Sequence, residues 1–399
     1  MNKFSSNDLM YMRRALKLAR RGRFGTSPNP CVGCVIVRDG MIIGEGWHKK
    51  AGTDHAEVAA IKNAGGNVAG ATAYVTLEPC SHYGRTPPCA KTLVQKGIRR
   101  VVAAVLDVNP KVSGRGMEIL NKAGVKTEVG LCESQARWLN RAFFKAVSTG
   151  IPYVTLKLAA SLDSKIALPS GESQWITSDK SRQDVQRLRA LCDAVITGVN
   201  TVFADNPRLT VRYDNLPEKT RSKLPKSALR QPLKVILDST GRLDAQALER
   251  FEIFNSGTCL IVQVLKPELN TAHLKNLRLN GKDCFLEAVD EWISRLYLPA
   301  GPDGRVPLEL LLRYLGSLEL RRVLVEAGST LSSAFLREDL VDELYLYQGP
   351  QLLGAASLPA FNLQPPEHLD TAISFKLKKV KKLGPDVRLH YVKKVKQGG

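Results

Sequence analysis

No apolar run of about 18 residues occurs in this chain, so no membrane-spanning helix is expected. The opening segment MNKFSSNDLMYMRRALKLARR has no long apolar stretch and no small-residue cleavage site. It is read as the start of the mature protein, and the spacing of Leu9, Met12, Leu16 and Ala19 suits an amphipathic helix. There is no internal repeat and no low-complexity tract. No G-x-G-x-x-G follows a first strand, which argues against a standard dinucleotide-binding domain. A C-x-x-C occurs at Cys31 and Cys34, but no second one exists to complete a four-cysteine metal site. That pair lies in the strand-like run CVGCVIV rather than at a helix start, so buried, inert thiols are expected there and not a redox couple. The 8 cysteines lack a secretion signal beside them, and reduced thiols in a cytoplasmic protein are the expectation.

With 399 residues the chain is too long for one ordinary core, and two domains are expected. Apolar residues make up 44%, a folded composition rather than a disordered one. The formal charge is +20, and residues 1–150 hold 23 Lys and Arg against 10 Asp and Glu. Such a balance suits nucleic acid, an anionic membrane surface, a phosphorylated small molecule, or simply a solvated basic face.

Short strands and helices alternate from residue 31 onward. CVGCVIV (31–37), Asp39-Gly40 and MIIGEGWH (41–48) predict a hairpin. Helices are expected over 55–64, 89–97, 116–124 and 132–146, and strands over 73–78 and 100–106. A sheet with helices on its faces follows. Pro152 marks a boundary, giving domains of 1–148 and 149–399. In the second, strands are expected at 153–159, 193–198, 233–237, 258–264, 322–326, 342–348 and 387–395, with an exposed insertion at 214–232. The basic tail FKLKKVKKLGPDVRLHYVKKV (375–395) alternates in VRLHYV, which favours a strand with a charged outer face over a nucleic-acid arm.

The sharpest chemical signal is His55-Ala56-Glu57 followed by Pro79-Cys80 and Pro88-Cys89. One imidazole and two thiolates make a zinc set with a fourth position left for water, whose pKa the metal lowers. Glu57, two residues from His55, is placed to carry protons without ligating. His-x-Glu with Pro-Cys-x-x-Cys is the signature of zinc nucleobase deaminases. Here eight residues, SHYGRTPP, separate Cys80 from Cys89 in place of two, and Gly84 with Pro87-Pro88 shapes that longer loop. A chance meeting of two core cysteines and a surface histidine explains the order of these elements less well.

These residues resemble a known family. EPCSHYGRTPPC (78–89), HAE (55–57) and SPNPCVGCVIV (27–37) look like the deaminase half of the bifunctional riboflavin-biosynthesis deaminase–reductases. LKLAASLDSKIA (156–167), SGESQWITS (170–178), DAVITGVNTVFADNPRLTVR (193–212) and VEAGSTLSSAFL (325–336) resemble the reductase half. The likeness runs from about residue 8 to 395 and weakens over 214–320. It implies an α/β protein: a cytidine-deaminase-like three-layer domain, then a dihydrofolate-reductase-like domain. It implies hydrolytic deamination of a diaminopyrimidinone ribosyl phosphate, then NADPH-dependent reduction of the ribosyl group to ribityl. By the same resemblance Asn29, His48, His82, Arg85 and Asp107 line the deaminase pocket, with Arg85 suited to the substrate phosphate.

In the second domain VLVEAGSTLSSAFL (323–336) reads as strand, turn and helix, and such a turn points backbone N–H groups at an anion. A bare helix N-cap at Ser329 or Thr330 explains the same residues equally well. The resemblance implies that Ala159, Trp175, Thr201, Asp205, Ser239 and Gly328 contact NADPH. It implies that Ser173, Arg189, Leu209, Arg212 and Glu326 contact substrate, with Lys157 and Glu326 assisting ring opening or proton delivery. Small-molecule substrates, neither nucleic acid nor membrane as partner, and a homo-oligomeric assembly are expected. An RNA-acting zinc deaminase predicts a tight Cys-x-x-Cys, no reductase domain and salt-dependent RNA binding. A purely structural zinc predicts a fourth protein ligand, for which His82 is the nearest candidate.

Overall fold

The computed structural model describes residues 4–81, 87–109 and 112–394. Two compact units divide the chain, Met1–Gly150 and Ile151–Gly399.

The first unit opens with helix α1 (Ser6–Ala19), started by a capping box in which Ser5 and Asp8 satisfy each other's backbone N–H. Strands β1 (Gly33–Arg38) and β2 (Met41–Trp47) form the expected hairpin, and Asp39 and Gly40 both take positive φ at its turn. There follow α2 (Ala56–Asn63), β3 (Thr72–Val75), α3 (Cys89–Gln95), β4 (Arg100–Ala103), α4 (Arg115–Lys122), β5 (Lys126–Val129), α5 (Glu133–Leu139) and α6 (Arg141–Thr149). The sheet runs β2-β1-β3-β4-β5, antiparallel on the hairpin side and parallel from β3 to β5. Strand alternation sends successive residues to opposite faces. Ile36, Val75 and Val101 pack under α2, α3 and α4 through Ala60, Leu93 and Leu120. Val35, Tyr74 and Val102 meet Met12, Leu16 and Phe144 of α1 and α6 on the other. Two cores on one sheet make three layers. Helix α2 lies almost on the backbone of β2: a Cβ on Gly46 would stand 2.4 Å from the Ala56 carbonyl oxygen. That close approach is what fixes the start of α2.

The single helix expected over 132–146 is two helices, α5 and α6, broken at Asn140. The Asn140 side chain is committed elsewhere: Oδ1 accepts from Cys31 N at 2.7 Å, and Nδ2 donates to Cys31 O at 2.9 Å.

The second unit carries β6 (Tyr153–Ala160), β7 (Lys165–Ala167), β8 (Ala194–Gly198), β9 (Leu233–Leu237), β10 (Cys259–Val264), β11 (Lys275–Leu279), β12 (Lys282–Ala288) and β13 (Ile293–Leu298). It continues with β14 (Arg322–Glu326), β15 (Glu343–Gln348), β16 (Leu358–Pro359), β17 (Phe375–Leu383) and β18 (Asp386–Lys393). Its helices are α7 (Asp179–Arg189), α8 (Val199–Asp205), α9 (Glu218–Arg221), α10 (Ala245–Arg250), α11 (Leu308–Ser317) and α12 (Ser329–Arg337). Eleven strands form one sheet in the order β11-β12-β13-β10-β9-β8-β14-β6-β15-β18-β17. It is parallel from β13 to β15 and antiparallel at both ends. Leu156, Ile196 and Val325 pack beneath Leu311, Leu315 and Phe335 of α11 and α12. Val195, Ile236 and Leu324 face Val185, Leu188 and Val202 of α7 and α8. The basic tail is a β hairpin, β17 and β18. The segment 214–232 is not wholly exposed, because Leu216, Thr220 and Leu224 are buried and pin it down.

Candidate active sites

His55 is the N-cap residue of α2 and Glu57 lies in its first turn. Cys89 opens α3, and hydrogen bonding to Cys80, then burial, holds its thiol well above the usual range. His55 Nδ1, Cys80 Sγ and Cys89 Sγ all lie within 4.8 Å of one another. The imidazole nitrogen is 3.5 Å from the Cys80 sulfur and 3.3 Å from that of Cys89. Zinc bonds of about 2.3 Å to sulfur and about 2.0 Å to nitrogen place tetrahedral ligand atoms about 3.5 Å apart, so this donor set fits the ion. Hydrogen bonding from Cys89 holds the Cys80 thiol down to about 4. Glu57 is 3% exposed and stands outside the three-ligand set. Burial pushes its carboxyl up to about 7, with the Cys80 charge adding to the rise.

Beside this cluster the His48 ring meets that of His55 edge-on, with centroids 5.4 Å apart. Asn29 Nδ2 is 3.1 Å from His48 Nε2, and the Asp54 carbonyl is 3.0 Å from His48 Nδ1. Burial lowers the His48 pKa and favours its neutral ring. Asp107 is buried and accepts from Asn109 N at 2.8 Å. His82 and Arg85 lie outside the described residues. Cys31 and Cys34 are both buried and outside the ligand cluster, and burial followed by the Glu57 charge raises the Cys34 thiol well above its usual range.

The second unit holds a cleft of about 790 Å³. Ala159, Trp175, Thr201, Asp205 and Gly328 of the expected cofactor contacts line it. So do Lys157, Ser173, Arg189, Leu209, Arg212 and Glu326. Ser239 is not in that lining; its hydroxyl accepts from Val306 N at 3.2 Å. Glu326 grips Arg189 with both oxygens, at 2.6 and 3.1 Å, and reaches Lys157 at 3.8 Å. Burial, the largest influence on Glu326, raises its pKa, but Arg189 and Lys157 outweigh it and the net shift is downward. Burial pushes Lys157 down. Arg182, Arg189 and Arg208 each have a carboxylate partner, in Asp179, Glu326 and Glu252. Arg212 has none among the described residues; burial, then the charges of Arg189, Arg208 and Arg182, lower its pKa. A guanidinium so placed is a ready anion site. Gly328, the N-cap of α12, leaves open space where a Cβ would stand. A cleft of this size with an exposed Trp175, guanidinium groups and a helix N-terminus fits a phosphorylated dinucleotide.

Arg182 and Gln186 are among the cleft residues that the sequence did not single out. Arg182 lies 4.2 Å over the Trp175 ring, and Gln186 Oε1 accepts from Arg212 N at 2.9 Å. Their spacing with Arg189 puts all three on one face of α7, a helical period that was there to be found.

Residues 5–105 match the cytidine and deoxycytidylate deaminase zinc-binding region, and residues 152–389 match the RibD C-terminal domain. With the geometry above, this defines a zinc deaminase joined to a reductase. The chain is 45% identical over 391 residues to the riboflavin biosynthesis protein RibD of Escherichia coli (strain K12), covering 96% of this chain and 99% of that protein. It is 41% identical to RibD of Haemophilus influenzae, covering 99% of this chain and all of that one. Acinetobacter baumannii RibD superposes with a TM-score of 0.81 at 44% identity, covering 97% of this chain and 98% of that one. The chain therefore belongs to the RibD family of bifunctional riboflavin-biosynthesis deaminase–reductases. Its first domain is cytidine-deaminase-like, its second dihydrofolate-reductase-like, and its cofactors are zinc and NADPH. The RNA-acting alternative is not favoured, since the likeness runs through the reductase domain as well. Among the described residues no helix is long and apolar enough to cross a membrane.

Proposed function

We propose that residues 1–148 deaminate 2,5-diamino-6-ribosylamino-4(3H)-pyrimidinone 5′-phosphate and that residues 149–399 then reduce 5-amino-6-(5-phosphoribosylamino)uracil to the ribitylamino product. The observation that carries the first step is the convergence of His55, Cys80 and Cys89 beside the buried Glu57. Zinc, when bound by these three, supplies the Lewis acidity that makes water nucleophilic near neutral pH. Glu57 takes a proton from the incoming water and delivers one to the departing amino nitrogen. Asn29 and neutral His48 orient the pyrimidine, Asp107 holds one of its polar edges, and His82 and Arg85 complete the pocket, with Arg85 on the phosphate.

For the second step Arg189 and Arg212 hold the substrate phosphate, with Ser173, Leu209 and Glu326 placing the ring. Ala159, Trp175, Thr201, Asp205 and Gly328 hold NADPH, which supplies the hydride when bound. Lys157 and Glu326 assist opening of the ribosylamine by moving a proton at the sugar ring oxygen; the 3.8 Å contact between them supports this pairing. The eight cysteines of the chain support a reducing, cytoplasmic setting. Leu377 and Val380, about half exposed on edge strand β17, support a homo-oligomer.

The test supplies the diaminopyrimidinone phosphate with and without a chelator and follows ammonia and NADPH separately. Ammonia release stops on chelation, whereas NADPH oxidation given the deaminated uracil continues. NADPH oxidation with the undeaminated compound in chelated protein contradicts the order of steps.

A further inference from the structure

We infer that Glu78 is a positioning residue for deamination, holding Asp107 and the start of α4 against the Cys80 loop. The side chain is 3% exposed and has no Lys, Arg or His partner among the described residues. Both its oxygens are instead filled by backbone donors. Oε2 accepts from Asp107 N at 3.1 Å and Gly114 N at 2.9 Å. Oε1 accepts from Gly116 N at 2.9 Å and Met117 N at 3.3 Å. Helix α4 has no capping side chain of its own: its N-cap is Gly114, at positive φ. Glu78 therefore caps α4 from another element and satisfies amides that would otherwise be orphaned in the interior.

The same carboxylate stands two residues before Cys80, so it joins three things at one point: the ligand loop, the peptide of Asp107 and a helix N-terminus. Packing there leaves no slack. A Cβ on Gly116 would stand 2.0 Å from the Pro79 carbonyl oxygen and 3.1 Å from Glu78 Oε1. Four N–H donors need the acceptor capacity of a carboxylate; an amide has one oxygen and turns two donors of its own toward them. The Glu78 oxygens are taken up by backbone amides and touch no substrate. Glu78 acts through Asp107, and the inference rests on the proposed substrate role of that residue.

The test uses the full-length zinc enzyme in four forms: wild type, Glu78→Gln, Asp107→Ala and the double variant. Ammonia release gives KM and kcat, metal analysis gives zinc content, and NADPH oxidation monitors the other activity. Glu78→Gln is expected to raise the deaminase KM about tenfold, with zinc and the reductase rate unchanged. The double variant is expected to lie within about twofold of Asp107→Ala, because the two changes remove one function. Effects on KM that multiply in full overturn the inference, as does an unaltered KM in Glu78→Gln. If Asp107→Ala alone keeps the wild-type KM, the substrate role of Asp107 falls first and this inference with it. Should Glu78→Gln lose zinc, Glu78→Asp decides: it keeps the acceptors but withdraws them by one methylene. Raised KM with full zinc supports the role, and wild-type KM with full zinc refutes it.

Discussion

Replacing Glu326 by Gln tests the electrostatics of the reductase cleft. Glu326 is 8% exposed and holds Arg189 through two bonds of 2.6 and 3.1 Å, with Lys157 at 3.8 Å. Glutamine keeps the volume but leaves two cations facing each other. Removing one member of a buried pair costs about 3–5 kcal/mol. Here the side chains of Arg189 and Lys157 keep 14% and 19% exposure, and Arg189 retains a bond to the Thr210 carbonyl. Water reaching the cleft thus offsets part of the loss, leaving about 2 kcal/mol. For a unit of this size that lowers Tm by about 4–8 °C. The sign with pH follows from the depressed pKa of Glu326. Its contribution is present above the unfolded value of about 4.3 and is lost as pH falls through the lower folded one. Calorimetry at neutral pH should show the lowered transition, and the gap between variant and wild type should close below about pH 4. Ammonia release should not change. A Tm within about 1 °C of wild type at neutral pH, or a gap that widens in acid, refutes the reasoning.

Glu57→Gln should lower ammonia release by about 10²–10⁴-fold while zinc content and NADPH oxidation stay at wild-type levels. Full deamination by that variant removes Glu57 from proton transfer. Arg212→Ala should raise the reductase KM by about tenfold or more and leave kcat within a few fold, which steady-state kinetics with the deaminated substrate will read.

Local chemistry was legible where a short stretch decides the structure. Asp39-Gly40 announced the hairpin, and β14 runs over the expected residues 322–326. The ligands were legible because His55 and the two cysteines are scarce residue types in ordered spacing. What escaped depends on partners distant in the chain. Nothing near Asn140 says that its amide will bond Cys31, 109 residues away, and so break a helix. Strands β11 and β12, KNLRL and KDCFLEA, alternate too weakly to stand out from their turns. They are read as strands only once β13 pairs beside them. Strand β17 hid for the opposite reason: seven of its nine residues are exposed, so no buried face marks it.

The C-terminal hairpin has a consequence for how this chain is made. Asp386 accepts hydrogen bonds from Ser178 and Ser181, and Arg388 reaches Asp184 at 2.6 Å, spans of more than 200 residues. These contacts orient α7, which carries Arg189 into the cleft. On the ribosome the first unit, Met1–Gly150, has all its strands available while most of the chain is still untranslated. The reductase must wait until the β17–β18 hairpin has been made. During synthesis the two activities are born in the order in which the proposed reactions use them.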